Sequence, residues 1–266
     1  MAVSSAASLR PRAAIAACAI ALALSGCGAE TAGLLTGPGP TIEAAGVETG
    51  ATPDKPAFNP FSDQQASDTP LREVIPNPSR AEVMQPGPLP EFSLGRADAP
   101  VVLIKYMSLT CPHCRRFQAD VFPVLKRDYI DKGHVRLILR EFPIGKTSGN
   151  ATIALRCVPM DKYLPLYDKF LAQQATWVSQ EVRPDVIFKV AAQVGLKREQ
   201  FDACLKDQKL IESLKQIKDR GRTLGIIGTP NFFVDNRLVK KTIGVKELRE
   251  LLDPLVQERT AGAARP

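Results

Sequence analysis

The feature that most constrains this chain is a pair of cysteines two residues apart, set where an apolar run gives way to a helical pattern. Val101 to Phe117 reads VVLIKYMSLTCPHCRRF. Val101–Met107 is β-prone, Ser108-Leu109-Thr110 breaks it, and Cys111-Pro112-His113-Cys114 follows. Phe117, Val121 and Leu125 then recur every four residues, a helical period. Cys111 therefore falls at a helix start, where unpaired N–H groups and the helix dipole favour a thiolate. Pro112 suits the first turn, because its missing N–H costs nothing there.

Other uses of two such cysteines fit less well. A structural zinc site needs two more ligands, and only His113 and His134 are present, with no second CxxC. Covalent haem attachment needs a histidine where Arg115 stands. A purely structural disulfide is the remaining alternative, in a strained and exposed place. The reading is a redox-active Cys111–Cys114 dithiol with no metal and no separate cofactor, tuned by Pro112 and His113.

The first 90 residues differ in kind from the rest. Arg10 and Arg12 precede a twelve-residue apolar run, Ala13–Leu24, too short to span a bilayer. Leu24-Ser25-Gly26-Cys27 resembles a bacterial lipobox, which implies that 1–26 is a lipoprotein signal peptide and that Cys27 is lipidated. An ordinary signal peptide, giving a soluble periplasmic protein, is the other reading. Export places the chain in an oxidising periplasm or cell envelope. Residues 27–89 are rich in Pro, Gly, Ala, Thr and Ser and hold no period, so they read as a flexible tether. Phe58 and Phe61 are the alternative there, as a docking segment. With Cys18 in the apolar run and Cys27 lipidated, four of six cysteines remain, an even number. Residues 91–266 carry 30 Lys/Arg against 20 Asp/Glu. Acids are interspersed with the basic residues, so the charge reads as a solvated surface that suits anionic lipid or acidic partners, with no nucleic acid.

Strands are expected at Glu91–Gly95, Val101–Met107 and His134–Phe142, with a helix from Cys114 to about Tyr129 between the last two. That βαβ unit requires a parallel pair. Residues 146–224 read as almost wholly helical, in pieces at Ala151–Cys157, Lys162–Ala175, Val186–Val194, Arg198–Lys206 and Lys209–Thr223. Strands Asn231–Val234 and Leu238–Lys240 and a helix at Lys246–Leu255 follow, leaving 259–266 as a tail. The fold class is α/β, a thioredoxin-like sheet with a helical insertion, preceded by the signal peptide and disordered linker.

From these residues the chain resembles a DsbA-type thiol:disulfide oxidoreductase of the thioredoxin superfamily over 90–258. The carriers are Cys111-Pro112-His113-Cys114, the insertion at 146–224, and Gly228-Thr229-Pro230 entering Asn231-Phe232-Phe233-Val234. The resemblance implies a cis Pro230 beside Cys111 and substrate pairing at Thr229 and Pro230. It implies an enzyme that introduces disulfides into reduced or unfolded exported proteins and is reoxidised by a DsbB-like membrane partner. A reductase or isomerase on the same fold, and a chaperone-like module for unfolded exported chains, are the alternatives. Cys157 and Cys204 resemble the structural disulfide of some such lipoproteins. If formed, it is worth about 4 kcal/mol in the chain-entropy model; two separate buried thiols are the alternative. The family places an acid six residues before the first cysteine, where this chain has Lys105. Where the family moves the buried cysteine's proton with that carboxylate, water or a neutralised lysine is one expectation here; the other is an ammonium that reaches solvent along the side chain's own stem. Trp177 is read as core.

Overall fold

The computed structural model describes residues 74–263. Its centre is β2, Val101–Met107, with every residue buried. A strand covered on both faces needs no alternation of apolar and polar residues, which is why Val101–Met107 reads as a continuous run. It pairs in parallel with β3 (Val135–Glu141) and antiparallel with β4 (Asn231–Val234). β1 (Phe92–Leu94) joins β3 antiparallel, and β5 (Arg237–Val239) joins β4, giving the order β1-β3-β2-β4-β5. Between β2 and β3 the chain is helical from Pro112 to Ile130. α2 (Pro112–Arg116) and α3 (Phe122–Leu125) alternate there with π-helical turns at Phe117–Val121 and Lys126–Ile130.

Side chains on a strand alternate in direction, and β2 divides two cores accordingly. Val101, Leu103 and Met107 share one with Cys114, Phe117 and Phe232. Val102, Ile104 and Tyr106 share the other with Ile138, Leu224 and Phe233. Lys105 belongs by position to the first face.

The helical insertion runs from α4 (Gly145–Arg156) to α9 (Gln208–Thr223). Its members between are α5 (Met160–Ala172), α6 (Gln174–Trp177), α7 (Pro184–Ala191) and α8 (Arg198–Cys204). α4 begins before the expected Ala151 because its first turns bury Thr147 and Ser148, polar residues that give no apolar period. Trp177 is core, its Nε1 donating to the Phe170 carbonyl at 2.7 Å. Cys157 and Cys204 are joined, S–S 2.08 Å, so the alternative of two separate thiols falls. The bridge ties the end of α4 to the end of α8.

Both ends of the domain also differ from the sequence reading. Residues 1–73, with the expected signal peptide, Cys27 and most of the tether, lie outside the described residues. The last part of the tether, 74–89, is held against the second core. Ser79 caps α1 (Arg80–Met84) in a reciprocal pair with Glu82, and Val83 is fully buried. The carbonyls of Val83 and Gln85 accept from Arg140 at 2.7 and 3.2 Å, and that of Glu82 accepts from Arg220 at 2.9 Å. The segment lacks a period because its partners are guanidinium groups of the domain. At the other end, α10 (Val245–Ala263) continues into the expected tail. Arg259 pairs with buried Asp235 at 2.6 Å, which gives the helix a reason to continue.

A chain starting at Pro90 would strip Arg140 and Arg220 of these acceptors and uncover Val102, Ile104 and Tyr106. We expect it to lose about 3 kcal/mol or more. Denaturant unfolding measures this, and a midpoint equal to that of the full chain would count against the arm as part of the fold.

Candidate active site

The break after β2 places Cys111 at the N-cap of α2, in extended backbone (φ −77°, ψ 120°), with Pro112 in the first turn. Cys114, one turn on, is fully buried, while Cys111 is partly exposed; both are free thiols. β4 runs antiparallel to β2, pairing Asn231 with Tyr106, and this brings the preceding loop to the Cys111 end of the strand. The Thr229–Pro230 bond is cis, and Cys111 Sγ donates to the Thr229 carbonyl at 3.0 Å. Thr229 Oγ1 is buried and meets no partner in hydrogen-bonding geometry.

The two thiols sit in opposite electrostatic settings. Cys111 is drawn from 9.0 down to about 5. The largest cause is the hydrogen bond from the Cys114 thiol, which outweighs the cost of partial burial. The backbone N–H groups of Cys114 and His113 add to it. Cys114 moves the other way, pushed well above its ordinary value first by burial and then by donating to Cys111. One sulfur is a nucleophile and good leaving group at neutral pH, and the other stays a protonated donor. The His113 side chain is exposed, and the part of it that reaches Cys111 is the backbone N–H.

Lys105 does not reach solvent. It is fully buried, its Nζ donating to Tyr167 Oη at 3.0 Å and standing 4.1 Å from the centroid of the Phe117 ring. The strand's alternation turns it toward the core that holds Cys114, where its stem has no path outward. Burial lowers its pKa from 10.5 to about 8, opposed by the charges of Cys114, Cys111 and Asp168. That depression corresponds to about 3 kcal/mol of folding stability. Because the unfolded chain binds the proton more tightly, the cost is full below about pH 8 and relieved as pH rises toward 10.5.

Three further groups support the turn, and the sequence reading missed them. Gln174, from α6, donates one amide to the carbonyls of Leu109 and Cys111 at 2.7 and 3.0 Å. Ser148 meets Ser108, Oγ to Oγ, at 2.7 Å. Tyr167 holds Lys105. A buried polar residue in an apolar helix is the signal each offers, and its partner is visible only in three dimensions. Among the described residues no group of three or more His, Cys, Asp or Glu could hold a metal ion.

The sequence profile of the family described as Thioredoxin matches residues 89–254. The chain belongs to the thioredoxin family. Within that family it is DsbA-like. The structure superposes on the crystal structure of Wolbachia pipientis alpha-DsbA1 with a TM-score of 0.62 and 26% identity, covering 70% of this chain and 100% of that one. A Rickettsia bellii relative named as a protein-disulfide oxidoreductase is 29% identical over 170 residues, 63% of this chain and 65% of its own length. Disulfide bond formation protein D of Bacillus subtilis is 26% identical over 165 residues, 60% of this chain and 74% of its own. The match thus spans somewhat less than two thirds of the Rickettsia protein. The thioredoxin-family region carries the dithiol, the insertion and the Thr229–Pro230 loop together.

The Cys111 shift has a pH signature in this DsbA-like chain. Its folded pKa lies below its ordinary value, so ionisation stabilises the reduced fold; the contribution is complete above about pH 9 and lost as pH falls through about 5. Reduced protein should therefore lose stability relative to the oxidised form between pH 7 and pH 4. Paired urea unfolding of both forms measures it, and a gap that does not change over that range would refute the assignment.

Proposed function

We propose that this chain is an exported thiol:disulfide oxidase that places disulfide bonds in reduced or unfolded proteins through Cys111 and Cys114. The observation that carries the reading is the asymmetry of the two sulfurs: a partly exposed Cys111 stabilised as thiolate beside a buried, protonated Cys114. In the oxidised enzyme a substrate thiolate attacks Cys111 Sγ, the Cys111–Cys114 bond breaks, and its electron pair leaves on Cys114. A second substrate thiolate attacks the substrate sulfur of the mixed disulfide. Cys111 departs as the thiolate, and the substrate leaves oxidised by two electrons. A stable leaving thiolate drives that exchange toward substrate oxidation. Relatives named for disulfide-bond formation support this direction.

The loop before β4 supports the substrate's place. Ile227 is 78% exposed and Thr229 lies against Cys111, so an extended chain laid along 227–229 would add a strand next to the reacting sulfur. Two electrons per turnover must then pass to a membrane oxidant of the DsbB type. The lipobox at Leu24–Cys27 supports a lipid anchor in the cell envelope, with the intervening chain as tether. No helix among the described residues is long and apolar enough to cross a membrane.

With a reduced two-cysteine peptide, the oxidised chain should form peptide disulfide stoichiometrically. Cys114→Ala should accumulate a mixed disulfide at Cys111, and Cys111→Ala should form none. A dithiol found reduced in cells, with no peptide oxidation in vitro, would point to a reductase or isomerase instead. Cys27→Ala should move the protein from the membrane to the soluble fraction; unchanged fractionation would remove the lipid anchor from the reading.

A further inference from the structure

Lys105 is a fully buried cation near the dithiol to which the exchange just described gives no work. Its surroundings are unlike those of a structural lysine. Its strand neighbours across the sheet, Leu139 on β3 and Phe232 on β4, are apolar. Phe117 covers it from the helix that begins at Cys111. Tyr167 of α5 supplies its hydrogen bond, and it makes no ion pair among the described residues. The ionisable groups that face it are Cys111 and Cys114 from the dithiol helix and Tyr167 and Asp168 from α5. Asp168 is half-buried, held by Gln118 at 3.0 Å, and its carboxyl is pushed up by desolvation, so it is a weak counter-ion. A buried ammonium with this company is costly, and an apolar side chain would pack the strand at least as well. What the position gains from a cation is a positive charge beside two sulfurs that become anionic during exchange.

We propose that Lys105 is a positioning residue for the exchange, the buried counter-charge that holds the Cys114 thiolate when it leaves the disulfide, with Tyr167 fixing the ammonium in place. When the substrate thiolate attacks Cys111, the electron pair of the broken S–S bond arrives on a sulfur with no access to water. Coulomb attraction at low dielectric is then large, and the ammonium lowers the energy of that anion until a proton from solvent converts it to the thiol. In the resting reduced enzyme the same charge favours the Cys111 thiolate. Both effects stabilise the dithiol over the disulfide and make the protein a stronger oxidant. The ammonium is charged below about pH 8 and lost above it, so the assistance belongs to neutral and acidic conditions.

This assignment rests on the dithiol exchange but not on its direction in the cell, and its test needs no exported substrate. Lys105→Met and Lys105→Glu are made in the full chain. Thiolate absorbance is followed against pH, and the Cys111–Cys114 equilibrium is measured against glutathione. Lys105→Met should raise the Cys111 pKa by about one unit and move the equilibrium about tenfold toward the disulfide, a potential about 30 mV lower. Lys105→Glu should move both further in the same direction, an ordering set by charge that loss of packing would not produce. Tyr167→Phe keeps the ammonium and removes its acceptor, so it should give a smaller shift of the same sign. A Lys105→Met protein with the parent's Cys111 pKa and glutathione equilibrium overturns the proposal. If neither lysine variant folds, an unchanged Tyr167→Phe overturns it equally. A parent chain that fails to oxidise peptide would sink the oxidase reading and leave these two measurements valid.

Discussion

The hydrogen bond between the two cysteine side chains is the interaction on which the rest of the site depends. It lowers the affinity of one sulfur for its proton and raises that of the other, and the burial of Cys114 is the larger cause of the second effect. That burial is a property of the sheet. β2 is enclosed on both faces, the helix begins directly over its end, and the first helical turn presses Cys114 into the larger core. The pairing of β2 with β4 then delivers Thr229 to the exposed sulfur. The strands position the chemistry to within hydrogen-bond distance, and the helical insertion braces it through Gln174 and Ser148.

Much of this was legible in the chain. Val101–Met107 and Asn231–Val234 are strands at the residues expected, because an apolar run bounded by turn residues has few other solutions. Cys111 starts a helix because Pro112 and the four-residue period after it allow little else. The Cys157–Cys204 pairing was implied by resemblance and is present. Other features were illegible for a physical reason. Gln174, Ser148 and Tyr167 work by hydrogen bonds to residues 40 to 65 positions away, which no local pattern encodes. The expectation for Lys105 failed because a stem long enough to reach water has no route out of a strand closed on both faces.

The arm at 74–89 illustrates a related limit. Composition marks it as unable to build a core of its own, which is correct and beside the point, since it completes a core supplied by others. Arg140 is the hinge of that arrangement: it binds Glu91 at 2.6 Å, Tyr106 at 3.2 Å and two carbonyls of the arm. A buried guanidinium with four acceptors fixes the segment against the domain.

The arm also sets how force enters the molecule. Tension arriving along the chain from residue 73 would first meet the bond from Ile75 N–H to the Thr223 carbonyl and then the guanidinium clamps on 82–85. Those anchors lie on the face of β2 that carries Val102, Ile104 and Tyr106, while Cys114 and Lys105 occupy the other. The load would be taken up first on the face of the sheet opposite the one that holds Cys114.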